Sequence, residues 1–141
     1  MEDTNELLNR LKNTNDINSL DDYLETIDNN YPESLSEYLK NLMEEKQVKA
    51  TELIKRSKIE RTYCYQILNG RKKPGRDKII AIALALRLSL EETQRLLETA
   101  KESVLYAKSR RDSVLVFALN HKYSLIDTNQ LLVQYGETEL K

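Results

Sequence analysis

Cysteine and histidine are nearly absent. Cys64 is the one cysteine, so no internal disulfide can form, and with His121 as the one histidine the pair makes no metal site. Only 3 Gly and 2 Pro occur in 141 residues, which argues against a turn-rich β architecture. No long apolar run is present. The longest, Ile79–Leu86, falls far short of the roughly 20 residues that span a bilayer. Residues Met1–Asn15 are polar and acidic, unlike a secretory signal. No Ser/His/Asp set, metal cluster or phosphate-cradling glycine loop is evident, so an enzyme is not expected. These absences leave a soluble, cytoplasmic, all-α protein that needs no cofactor and touches no membrane.

What the chain does contain is Leu, Glu, Lys and Asn, with 40% apolar content, which suits helices, their caps and one core. Its net charge of −1 conceals segregation. Residues 1–45 hold 12 acidic and 3 basic side chains, and residues 46–90 hold 3 acidic and 12 basic ones. Residues 91–141 are nearly balanced, with 8 and 7. A basic middle behind an acidic start is either an ordinary solvated surface or a segment that meets phosphates.

Helix starts are marked by serine followed three residues later by an acid: Ser19/Asp22, Ser34/Glu37, Ser89/Glu92 and Ser124/Asp127. The hydroxyl accepts an orphan backbone N–H, and the carboxylate suits the positive end of the helix. Gly70 and Gly136 stand where helices stop, and Pro74-Gly75 punctuates a loop. The pattern predicts helices at 4–12, 20–28, 35–45, 50–57, 61–69, 76–87, 90–101, 111–121 and 125–135. The helix at 76–87 is almost entirely apolar and should be central. No convincing internal repeat is visible.

Two short helices joined by Lys58-Ile59-Glu60 match a helix-turn-helix. Leu53 and Ile54 would face Ile59, Cys64 and Ile67. Cys64 and Ile67 are three apart and share a face, so Cys64 is read as a packed core residue, not a redox switch. Arg61, Thr62, Tyr65, Gln66 and Asn69 then point outward, and such donors and amides read base edges in a major groove. Gly70 permits a tight exit. Arg71, Lys72, Lys73 and Arg76 follow beside the helix and can neutralise phosphates, with the N-terminus of 76–87 offering backbone N–H groups.

The run Thr51–Ile54, Ile59–Pro74, the apolar helix Lys78–Leu86 and Leu88–Glu92 together resemble the lambda-repressor/Cro-like (XRE-type) DNA-binding domain. That resemblance covers residues 35–103, about half of the chain. It implies a five-helix bundle and a homodimeric transcriptional regulator on a two-fold site in double-stranded DNA. Arg61, Thr62, Tyr65 and Gln66 would read bases or the groove. Tyr63 and Asn69 would approach the backbone, and Tyr63 and Tyr65 could instead pack at the domain surface. Four positions depart from the family pattern. Lys58 stands where Gly is usual and should adopt a strained positive φ. Ile54 replaces a small residue, Glu60 replaces a hydroxyl cap, and Val48-Lys49 offers no polar cap to the first helix.

Residues 1–34 form an acidic helical extension, read as a solvated appendage, as a competitor for the basic surface, or as a docking arm. Residues 104–141 form a two-helix extension with an apolar stripe of Val114, Leu115, Ala118, Ile126, Leu131 and Leu132. That stripe needs burial against the bundle or across a dimer, and a dimer contribution is the expectation. Arg110-Arg111-Asp112 should start a helix, with a second DNA contact as the other reading. His121 should serve the end of one. The rival function is a protein-interaction or antitoxin-like module that binds a partner through residues 1–34 or 111–135.

Overall fold

A computed structural model describes residues 34–141, together with residues 17, 19–22 and 24. Backbone contacts divide the chain into two compact units, residues 1–33 and 34–141. In the first unit the described residues are helical and exposed, in keeping with a helix at 20–28 as far as it is seen. The predicted helix at 4–12 lies outside the described residues.

Residues 34–141 are all-α: α1 Leu35–Lys46, α2 Ala50–Ser57, α3 Arg61–Leu68, α4 Arg76–Ala85, α5 Leu90–Thr99, α6 Arg110–Asn120 and α7 Leu125–Gln134. Three of the four predicted serine caps form, whereas Ser19 is itself helical, as Ile17 before it is, and so does not start its helix. Ser34 accepts from Glu37 N–H, Ser89 and Glu92 complete a reciprocal capping box, and Ser124 accepts from Asp127 N–H. A further cap, Ser109 accepting from Asp112 N–H, starts α6 at Arg110.

Helix α4 carries the core, with every residue from Ile79 to Ala85 buried. Helix α2 packs on α4, α1 on α5, and α3 closes against both α1 and α2. The first five helices are the expected lambda-repressor-like bundle. Leu115, Ala118, Leu119 and Leu132 enter the same core, because α6 packs on α5 and α7 on α4. Their side of the stripe is therefore covered within the chain. The expectation that it would be held for a second copy is corrected on this point. Ile126 remains exposed.

A second correction concerns repetition. The α6–α7 hairpin repeats α4–α5 at a shift of 35 residues, Arg76 to Arg111. Arg76-Asp77 recurs as Arg111-Asp112, Ala83-Leu84 as Ala118-Leu119, Ser89-Leu90 as Ser124-Leu125, and Leu96-Leu97 as Leu131-Leu132. The hydrogen bonds recur with the residues. Arg76 Nε donates to Ser103 O at 2.9 Å, and Arg111 Nε to Thr138 O at 3.0 Å. Leu105 N–H donates to Gln94 at 2.7 Å, and Leu140 N–H to Asn129 at 2.8 Å.

Between the copies the contacts cross. Arg76 forks onto Asp112 at 3.0 and 2.8 Å, and Arg111 forks onto Asp77 at 3.1 and 3.0 Å. Tyr106 N–H then donates to Asp112 and Lys141 N–H to Asp77, again 35 residues apart. Reciprocity of this kind defines a local two-fold relation between the hairpins. Planar guanidinium–carboxylate forks fix geometry as well as charge.

Candidate nucleic-acid interface

Helix α3 is short, so its orientation depends on its ends. Glu60 caps it: one carboxylate oxygen accepts Thr62 N–H at 3.0 Å and the other Tyr63 N–H at 2.8 Å. Those two bonds, with Tyr63 the stronger, hold the Glu60 carboxyl below its ordinary pKa. An anion at a helix N-terminus also complements its dipole. Before it, Lys58 takes φ +59°, the left-handed value that glycine adopts without strain. Lys49 precedes α2 and makes no side-chain cap. The three departures thus act as the residues predict. Ile54 is half-buried against the core.

Cys64 and Ile67 are buried under α3, and burial pushes the Cys64 thiol pKa up, away from thiolate chemistry. On the other side Arg61, Thr62 and Tyr65 are exposed and Gln66 is half-buried. Arg61 lies over the Tyr65 ring, 5.5 Å from its centroid. Tyr63 is half-buried, with Lys78 Nζ 5.7 Å from its ring centroid.

The chain leaves α3 tightly. Gln66 O accepts both Arg71 N–H and Lys72 N–H, at 2.9 and 3.1 Å, and Asn69 Oδ1 accepts Arg71 N–H at 3.2 Å. Gly70 makes this possible at φ +81°, a conformation that L side chains rarely adopt. Arg71, Lys72 and Lys73 emerge exposed just after α3. Gly75 leaves the start of α4 without a side-chain cap.

Arg76 is not placed with them. Its guanidinium is held by Asp112 and by the carbonyls of Ser103 and Val104, so four of its five N–H donors are taken. The Asp112 fork raises the Arg76 pKa further. Arg76 therefore joins the two hairpins and is withdrawn from the phosphate set. Arg111 is likewise held by Asp77 and by the carbonyls of Thr138 and Glu139, so four of its five N–H donors are taken within the chain. His121 caps α6, with Nδ1 2.8 Å from Phe117 O.

Residues 34–96 match the family model of a helix-turn-helix domain. This segment, a little under half of the chain, is similar to a helix-turn-helix domain. Its match begins at the cap of α1 and ends within α5, so it takes in the whole α2–α3 pair and the basic loop. A domain of this kind supports a DNA-binding role in general terms. No curated protein and no solved structure matches the chain. Among the described residues no helix is long and apolar enough to cross a membrane.

Proposed function

We propose that the chain is a sequence-specific, XRE-type transcriptional regulator that binds duplex DNA as a homodimer in the cytoplasm, without a cofactor. The carrying observation is the outward set on α3. Arg61, Thr62, Tyr65 and Gln66 project from a helix whose opposite face, Cys64 and Ile67, is locked in the core. Arg and Gln are the side chains that fork onto guanine and adenine edges, and Thr and Tyr add hydroxyls. Arg71, Lys72 and Lys73 stand beside them as point contacts for phosphate. Tyr63 and Asn69 would meet the backbone between.

A homodimer is the assembly this reading requires. One helix of two turns reads only a few bases, and a two-fold pair doubles the site at a fixed half-site spacing. Binding selections from random duplexes with the full chain test the reading. A paired, inverted half-site is the expected product. Arg61→Ala should then cost about 1–3 kcal/mol and blur one base position, whereas Lys72→Ala should weaken all duplexes alike and lower the salt slope by about one. Absence of any duplex binding at low salt overturns it.

A further inference from the structure

The duplicated hairpin exposes a face in its second copy that is covered in its first. Ile82, Leu86 and Leu88 of the first copy are buried, in a hairpin that carries α2 on α4 and α1 on α5. The same positions 35 residues on are Phe117, His121 and Tyr123. Phe117 is 45% exposed, His121 is exposed and Tyr123 half-buried. These three rings are already organised. Phe117 stacks on His121 at 4.0 Å and 22°, and Tyr123 stands edge-on to Phe117 at 5.8 Å. Rigid aromatic clusters of this kind anchor interfaces, since little rotamer freedom is lost on binding.

Through Tyr123 the face continues into a groove of about 440 Å³. Leu84, Ala85 and Leu125 line its floor, and Lys55, Lys58 and Arg87 stand at its rim. The other two cations there have structural duties. Lys122 Nζ donates to the Arg87 and Leu88 carbonyls at 3.0 and 3.3 Å, and Arg56 to the Ala85 carbonyl at 3.3 Å, at the negative end of α4. The three rim cations have no such partner among the described residues, and Asp127 is the single acid in the groove.

We propose that this surface docks an acidic amphipathic helix of a partner protein. The hairpin's first copy shows the kind of element that its fold seats: α2, a two-turn amphipathic helix with Leu53 inward. The rim selects a helix with carboxylates beside its apolar stripe. A second copy of this chain is disfavoured, because an isologous contact would bring two basic rims together. The groove sits at the C-terminal end of α4 and the basic loop at its N-terminal end. Ten residues of helix separate them by about 15 Å, so docking leaves the basic loop free. The inference does not depend on the DNA reading.

The probe is a fluorescent, stapled 16-residue helix with Leu at i, i+3, i+4 and i+7 and Glu beside them, titrated by anisotropy against the full chain. Saturable binding is expected, weakened about tenfold by Phe117→Ala and about fivefold by Lys58→Glu or Arg87→Glu. The same peptide with Lys for Glu should not bind. All three variants alter exposed side chains, and their melting curves check folding. No saturation, equal binding to Phe117→Ala, or equal binding of the Lys peptide each overturns the proposal. So does a doubling of mass in light scattering that Phe117→Ala abolishes, which would assign the face to a second copy.

Discussion

Removing Asp112 tests whether the crossed ion pairs hold the hairpins together. Its carboxylate is only 8% exposed and faces an Arg76 guanidinium that is itself largely buried. Burial alone would raise the Asp112 pKa. The Arg76 fork and the Tyr106 N–H overcome that and hold it below the usual carboxylate range. Truncation to alanine leaves Arg76 charged and partly buried, a loss of about 3–5 kcal/mol for a buried pair. Arg76 keeps the Ser103 and Val104 carbonyls, which places the expected loss near the low end, about 3 kcal/mol. The repeat supplies an internal control. Asp77 makes the equivalent fork to Arg111, but at 26% exposure solvent screens it, and Asp77→Ala should cost about 1 kcal/mol. Both acids lie in a first helical turn, so the dipole contribution is shared by the two variants. Urea unfolding at pH 7 reads the difference, with Asp112→Ala lowering the midpoint by roughly 1–3 M at unchanged slope. Equal losses for the two variants, or a loss under about 1 kcal/mol for Asp112→Ala, would refute the assignment of Arg76 as a buried joint.

Three further outcomes are expected. Because the folded-state pKa of Asp112 is lowered, its stabilisation is present above the unfolded value of about 3.9 and is lost as pH falls through the folded value. The melting temperature should therefore drop below about pH 4, less steeply in Asp112→Ala, and parallel curves would contradict this. Lys101 takes φ +59° where the second copy has Gly136 at φ +73°, so Lys101→Gly should raise stability by about 0.5 kcal/mol in thermal melts. Ser109→Ala removes the cap of α6 and should cost about 1 kcal/mol in the same assay, with no change as the refuting result.

Most of the fold was legible because its signals are local. Ser34, Ser89 and Ser124 start helices through bonds that reach three residues, and the period of Cys64 and Ile67 fixes the inner face of α3. Helix ends were read two residues too long at α4 and α5. Chain reversal there falls to Arg87 and Lys101 in the left-handed conformation, positions that carry no glycine to mark them. Arg76 was misread because it closely follows the run Arg71–Lys73, while the acid that claims it stands 36 residues away. The repeat escaped notice for a related reason. Its identities fall on caps, ion pairs and a few leucines, whereas Phe117, His121 and Tyr123 stand at the positions of Ile82, Leu86 and Leu88, where no helix covers them.

The two-fold relation between the hairpins makes no demand on how they are connected. Arg76 meets Asp112, and Arg111 meets Asp77, through surfaces that would fit equally well if the partners came from different molecules. What keeps the exchange within one chain is the stretch from Ala100 to Ser109, long enough to let α6 fold back on α5. Shortening that connection would convert a closed, self-paired molecule into one whose second hairpin must be lent to a neighbour, and so into a swapped dimer with the same bonds.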